Sequence, residues 1–138
     1  VKITVFSVES AFKLVVQNIL ETSIKYTDIG SVNVALYHPS LEFVSQTGIQ
    51  TPEDADEKSY LMFTVSDTGA GIMEADAETL FEPYAQLDKP NKKNIVRSIA
   101  LASARNVVKY LKGGIWVESE PMQGTVYNVL LPIEKFSQ

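Results

Sequence analysis

The feature that most constrains the fold is a pair of helical patterns far apart in the sequence. Within residues 10–26 and 95–111, apolar side chains recur at helical spacing, about three or four positions apart. Segments of β character lie between and after them, at residues 31–36, 60–65, 115–119 and 125–131. Because neither helix has a helical neighbour in sequence, both must cover a sheet. The order predicts an α+β fold, a two-layer sandwich with helices on one face of a mixed, mostly antiparallel sheet.

The composition excludes several classes of protein. A chain of 138 residues suits one domain, and a net charge of −5 gives no reason to bind nucleic acid or an anionic membrane. The absence of cysteine excludes disulfides, thiolate metal sites and cysteine nucleophiles. No apolar run approaches the ~20 residues that cross a bilayer. Since residues 1–6 look like a strand entered mid-protein, we expect residues 1–138 to be a single domain of a larger protein.

The stretch from Ser40 to Ser59 is polar and contains the acidic run Glu53–Glu57. This composition predicts a solvated hairpin loop. Carboxylates also bind hard cations, but the run lacks the glycine and the spaced oxygen ligands of a calcium loop. No metal site is predicted here.

Four motifs follow one another along the chain. They are Asn18–Thr27 (NILETSIKYT), Asp67–Ile72 (DTGAGI), Leu80–Tyr84 (LFEPY), and Gly113–Pro121 (GGIWVESEP) followed by Gly124 and Thr125. Together they resemble the histidine-kinase branch of the ATPase superfamily that includes gyrase, heat-shock protein 90 and the mismatch-repair ATPases. The resemblance covers essentially the whole chain and implies the Bergerat-type version of the predicted sandwich.

The nucleobase side of the site is complete by this resemblance. Adenine recognition needs a buried carboxylate that accepts from the exocyclic amine, and glycines that let the ring approach the backbone. Asp67, Gly69 and Gly71 occupy those positions, and Thr125 matches a hydroxyl that assists through a water. The alternative is that Asp67 only caps the following turn.

The magnesium side departs from the family pattern. The resemblance implies an Asn ligand on the first helix, but Thr22 stands at that position, with Asn18 and Lys25 on the same helix face. Thr22 is either a magnesium ligand that has to reach further to the ion or a tolerated surface or groove residue. A helical threonine is also well placed to donate a hydrogen bond to the carbonyl four residues earlier. Lys25 either meets a phosphate or is solvated. The pattern therefore predicts no magnesium site.

The region of the phosphate lid departs more strongly from the family pattern. The resemblance implies a loop such as Gly-x-Gly-Leu-Gly, whose backbone N–H groups hold the β- and γ-phosphates. The corresponding stretch here is 96–100, and no glycine occurs between Gly71 and Gly113. The basic side chains of this region form a solvated face or attract phosphate only as mobile point charges; they are Lys89, Lys92, Lys93 and Arg97.

The sequence thus predicts a degenerate ATP-binding domain of a sensor histidine kinase or phosphorelay protein in two-component signalling. The single histidine, His38, follows a strand and lacks a helical phosphoacceptor pattern, so no catalytic residue is predicted. ATP or ADP is expected to bind weakly or not at all, without phosphotransfer. Adenine binding without catalysis stays open. The main alternative is an unorthodox active kinase, in which Thr22 holds magnesium and the basic lid residues replace the glycines. A third is an interaction domain with no history of nucleotide use.

The family resemblance also implies a setting for the domain. We expect it to contact other domains of its parent receptor or kinase and phosphorelay proteins. We expect no nucleic acid partner and no direct membrane contact. The isolated domain should be monomeric, because the family dimerises through a separate helical hairpin. The expected location is cytoplasmic, either free or as the cytosolic part of a membrane-bound sensor.

Overall fold

A computed structural model of the chain describes residues 9–27, 29–69, 71, 92–120 and 122–133. Its elements, in chain order, are α1 (Glu9–Lys25), β1 (Val32–Tyr37), α2 (Leu41–Gln46), a 3₁₀ turn (Glu57–Ser59), β2 (Tyr60–Asp67), α3 (Lys92–Tyr110), β3 (Gly114–Glu120) and β4 (Gly124–Pro132). Both predicted helices and the predicted strands of the described part are present, within a few residues of the expected bounds. The motif Leu80–Tyr84 and Lys89 lie outside the described residues.

The sheet has the strand order β1-β2-β4-β3, and every pair of neighbours is antiparallel. The α+β class and the mainly antiparallel sheet are therefore confirmed. The order places β2 and β4 in the centre. Both are mostly apolar and almost fully buried, as central strands should be. No helix of the described part has the length and hydropathy to cross a bilayer.

The main core lies between the sheet and the two long helices. Its buried side chains come from α1, α3, β2 and β4, and they are Val15, Ile19, Phe63, Val65, Leu101, Ala104, Val108, Tyr127, Val129 and Leu131. Full burial of one such aliphatic side chain contributes about 1.5–3 kcal/mol. Ile24, the last apolar residue of α1, is 57% exposed. Thr22 and Ser23 are buried instead, so α1 presents polar groups to the interior in its last turns.

A second, smaller core lies on the opposite face of the sheet. Val44 of α2 is fully buried there with Tyr60, Met62 and Leu130. Ser40 caps α2 by accepting a hydrogen bond from the backbone N–H of Phe43 at 3.2 Å. The prediction of a solvated loop from Ser40 to Ser59 is therefore wrong for its first half. The acidic residues of its second half, Glu53, Asp54, Asp56 and Glu57, are exposed as expected.

Asn128 is a buried polar residue of β4 with an unsatisfied hydrogen-bond donor. Its side chain is 6% exposed, and its Nδ2 has no hydrogen-bond partner in the described part of the chain. It lies on the face opposite the long helices, between Thr64 and Trp116 of the neighbouring strands. An unsatisfied buried amide group costs about 1–3 kcal/mol.

Replacing Asn128 with valine is expected to raise the free energy of unfolding by about 1 kcal/mol, because the orphaned donor disappears and valine suits a central strand. Urea unfolding measures the change. Asn33→Val is the matched control, since Asn33 lies on the same face but is exposed on β1. A loss of stability in Asn128→Val, with no change in the control, would contradict the assignment of an unpaired amide.

Candidate functional site

One end of the sheet brings three polar side chains into a single row on the helix-facing side. Asp67 of β2 pairs with Thr125 of β4, and Thr125 pairs with Ser119 of β3. The alternation of the strands places all three on the face that carries Val65, Tyr127 and the rest of the main core. The oxygens of Ser119 and Thr125 are 3.1 Å apart, and the Ser119 hydroxyl also donates to the Gly124 carbonyl.

The Asp67 carboxylate is held by two donors. Its Oδ1 accepts from the Gly69 N–H at 3.0 Å, and its Oδ2 accepts from the Ser23 hydroxyl at 3.0 Å. Asp67 is 9% exposed and Ser23 is fully buried. The turn-capping bond considered from the sequence is therefore present. Because each carboxylate oxygen has capacity for a second hydrogen bond, the cap leaves acceptor capacity on Asp67.

Close backbone approach explains the glycines around Asp67. A Cβ on Gly69 would lie 3.0 Å from the Tyr26 carbonyl oxygen and 3.1 Å from Asp67 Oδ1. Gly71 has a φ of 76°, in the left-handed region that favours glycine. A Cβ on Gly124 would overlap the carbonyl oxygen of Asp67. The local backbone around Asp67 thus depends on these three glycines.

The polar groups on α1 are engaged within the protein. Thr22 is 4% exposed, and its hydroxyl donates to the Asn18 carbonyl at 2.6 Å. Of the two places considered for Thr22, the surface is excluded by this burial and a groove is not; the i−4 bond considered from the sequence is present. The Asn18 amide donates to the Ala100 carbonyl of α3 at 3.2 Å, which ties the two long helices together. Lys25 is exposed.

The stretch that aligns with the glycine-rich lid loop is helical. We expected α3 to begin near Ile95, but it begins at Lys92, so residues 96–100 lie inside it. The side chains of Lys92, Lys93 and Arg97 lie outside the described set, so their expected basic face is not described. Backbone N–H groups beyond the first turn of a helix are bonded to carbonyls four residues earlier. Residues 96–100 therefore have few free N–H groups for a phosphate.

An open depression of about 450 Å³ reaches Asp67 and Thr125 from the end of the β3–β4 hairpin. Its lining also includes Glu118 and Glu120, which are exposed. The strand register places the side chains of these two residues on the face of the sheet opposite Asp67 and Thr125.

Ser23 and Ser119 are members of this site that the motifs alone do not identify. A signal for Ser23 does exist in the sequence. It stands four positions after Ile19 on the buried stripe of α1, where an apolar residue is expected. A serine there needs a buried hydrogen-bond partner, and Asp67 provides it. Ser119 is identified as part of the site only by the strand register, which pairs it with Thr125.

Comparison with known proteins gives a consistent picture. The sequence model of the family described as histidine kinase-, DNA gyrase B-, and HSP90-like ATPase matches residues 7–135. The autoinducer 2 sensor kinase/phosphatase LuxQ of Vibrio vulnificus is 32% identical over 119 residues, which is 86% of this chain and 12% of that protein. The adaptive-response sensory kinase SasA of Synechocystis is 28% identical over 130 residues, 94% of this chain and 29% of that protein. The chain thus spans less than a third of these curated relatives.

Solved structures show the same fold at low identity. Full-length ShkA in complex with AMPPNP has a TM-score of 0.69 at 18% identity, with 98% of this chain and 24% of that chain covered. The catalytic domain of the histidine kinase ThkA has a TM-score of 0.63 at 19% identity, with 91% and 69% covered. The mycobacterial sensor histidine kinase MprB has a TM-score of 0.63 at 21% identity, with 94% and 75% covered.

Proposed function

Because the chain belongs to the histidine kinase-, DNA gyrase B-, and HSP90-like ATPase family, we propose that it is a degenerate ATP-binding domain of a sensor histidine kinase or phosphorelay protein. In this proposal it binds ATP weakly or not at all and transfers no phosphate by itself. Its relatives are sensor kinases several times longer than this chain. The domain then acts through contacts with other domains of its parent protein and with phosphorelay proteins, as a cytoplasmic, monomeric unit of residues 1–138.

The observation that carries this proposal is the state of Thr22. Magnesium requires oxygen ligands that are free to point at the ion in near-octahedral geometry. The Thr22 hydroxyl donates its proton to the Asn18 carbonyl and is almost fully buried. While it donates this bond the hydroxyl keeps its lone pairs, but the bond holds the Thr22 side chain against the backbone of α1. Its short reach makes it a poorer ligand than a longer amide side chain.

The stretch that corresponds to the phosphate lid, residues 96–100, supports the same proposal independently. Backbone that wraps a phosphate uses conformations that glycine adopts without strain, and it presents free N–H groups. The chain has no glycine between Gly71 and Gly113, and residues 96–100 are helical. The described backbone of residues 96–100 therefore does not provide the electrostatic preorganisation that phosphoryl transfer needs.

A phosphotransfer assay tests the proposal. The chain is incubated with magnesium and radiolabelled ATP, together with a separately supplied dimerisation hairpin that carries a phosphoacceptor histidine. The catalytic domain of a related active sensor kinase, tested with the same hairpin, is the positive control. We expect the hairpin to be labelled by the control domain and not by this chain. Labelling by this chain that disappears in Asp67→Asn would favour the unorthodox active kinase and overturn the proposal.

A further inference from the structure

The edge of the sheet formed by β1 combines an open row of backbone groups with an exposed apolar surface. We infer that this edge docks an extended segment from another domain of the parent protein, which pairs antiparallel with β1 and carries apolar side chains at every second position. The inference rests on the proposed function, in which the domain acts through contacts with other domains. It names the surface and the kind of segment for one such contact.

The direction of the backbone groups along β1 follows from one hydrogen bond at its start. The Thr68 N–H donates to the Ser31 carbonyl at 3.1 Å, and these two residues continue the register of β1 with β2. Residues of an antiparallel strand alternately point their N–H and C=O groups at the partner and away from it. The backbone groups of Val32, Val34 and Leu36 therefore point away from β2. Among the described strands, none lies on that side of β1.

β1 also lacks the features that keep an edge strand from pairing. Natural edge strands are protected by charged side chains, by proline or by bulges. The six residues Val32–Tyr37 include no charged residue and no proline, and their register with β2 has no bulge. By contrast β3, at the other edge of the described sheet, carries the exposed residues Glu118 and Glu120. β1 is therefore the edge that is open to a further strand.

The side of β1 that faces the helix layer has no helix above it. Among the described elements, α1 packs on β2 and α3 packs on β3, whereas β1 packs extensively only on β2. Val34 and Leu36 are consequently 51% and 37% exposed, although their partners in the register, Val65 and Phe63, belong to the main core. Exposed apolar residues that continue a core are typical of an interaction site.

α1 contributes the second side of this apolar surface. Asn18 faces α3, because its amide donates to the Ala100 carbonyl. Val16 and Leu20, two positions before and after Asn18, lie about 200° around the helix from it. This flank of α1 is turned away from α3 and toward β1, and both residues are partly buried against the main core. A strand paired with β1 would place alternate side chains against this flank.

The open backbone and the apolar surface together favour a strand over a helix as the docked element. A helix would cover the apolar surface but leave the edge N–H and C=O groups without protein partners, whereas a strand satisfies both. Directly opposite residues of an antiparallel pair share a face. The residues that exchange hydrogen bonds with Val34 and Leu36 therefore project toward the helix layer and must be apolar. The net charge of −5 disfavours acidic side chains in the segment.

The relatives indicate where such a segment comes from. The matched region is 12% of LuxQ and 29% of SasA, so most of the polypeptide of these kinases lies outside it. A strand tethered in the same polypeptide binds at a high effective concentration, which suits a short contact that is weak between separate molecules. The segment therefore belongs to another domain of the parent protein.

Two isomeric peptides test the inference by NMR titration of the isotope-labelled chain at millimolar peptide concentration. Both have a lysine at each end and valine alternating with threonine between. One carries backbone N-methyl groups on its threonines, which leaves the valine N–H groups free to pair with β1 and blocks self-association of the peptide. The other carries them on its valines. We expect the first to shift the resonances of β1 and the flank of α1, and the second to bind at least about tenfold more weakly.

Val34→Lys and Ala35→Lys show whether binding occurs at this edge. Both positions are exposed on β1, but Ala35 lies on the opposite face and its backbone groups point at β2. Val34→Lys is expected to weaken the first peptide at least about tenfold, and Ala35→Lys to leave its affinity within about twofold. The two lysines add the same charge, so general repulsion of the peptide is matched. Thermal melting verifies that both variants are folded.

Hydrogen exchange of the Val34 amide completes the test. We expect this amide to exchange rapidly in the free chain and to become protected when the first peptide binds. Slow exchange in the free chain, which pairing with a second copy or with another part of the same chain would cause, overturns the inference. Equal binding of the two peptides, or binding of neither, also overturns it and leaves the absence of phosphotransfer untouched. Phosphotransfer by the chain would overturn the proposed function without changing these binding results.

Discussion

Replacing Gly124 with alanine is expected to lower the free energy of unfolding by about 3–5 kcal/mol. Gly124 has a φ of 114°, which an L-residue with a Cβ adopts only with strain. In addition, a Cβ there would overlap the carbonyl group of Asp67 and approach the Cα of Thr68. These are backbone atoms of the last residue of the central strand β2 and of the residue after it, and they cannot move aside as a flexible side chain does. The variant should therefore separate β2 and β4 at the end that carries the site.

Gly48→Ala is the control for the Gly124 prediction. Gly48 also has a positive φ, of 84°, but a Cβ there would meet nothing within 4 Å. It should cost only the backbone strain, about 1 kcal/mol. Chemical unfolding of the two variants measures the difference. Equal losses in both would mean that the close contact between Gly124 and β2 is not present.

Replacing Val44 with aspartate is expected to cost about 3 kcal/mol or more, because a charge would enter an apolar cluster without a partner. Val44 is fully buried among Tyr60, Met62 and Leu130, on the face of the sheet opposite the long helices. The aspartate would release α2 and expose that face. The change is measured by urea unfolding, with Trp116 fluorescence as a local probe, since Trp116 packs against this cluster and its ring centroid is 6.1 Å from that of Phe43.

Ser45→Asp introduces the same side chain one position further along α2. Ser45 is exposed, so this variant should change stability by less than about 0.5 kcal/mol. If Val44→Asp is as mild as Ser45→Asp, α2 does not pack on the sheet, and the solvated loop expected from composition was the better description.

The sequence predicted the long elements because their periodicity is repeated over many residues. In β2, Leu61, Phe63 and Val65 alternate with Met62 and Thr64, and the observed strand separates them onto two faces as expected. Residues 41–46 were missed because a six-residue helix shows too little periodicity to stand out from a polar loop.

In the candidate site, too, some features follow from local sequence patterns and others depend on how distant elements pack. Residue type and spacing identify Asp67, Gly69 and Thr125 from the sequence alone. The strand register then places Asp67 beside Thr125. The bond between Asn18 and Ala100 joins residues 82 positions apart and depends on how two helices pack across the sheet. No local pattern contains that information. For Thr22 the sequence left several roles open, and only the geometry of α1 distinguishes them.

We propose that this scaffold does not contact phosphate through a metal ion. Isothermal titration of the chain with ATP, in the presence and in the absence of magnesium, measures that contact most directly. We expect magnesium to leave the binding heat and the affinity unchanged, and excess ATP to give the same melting temperature with magnesium as without it. Micromolar binding of ATP that requires magnesium would contradict it.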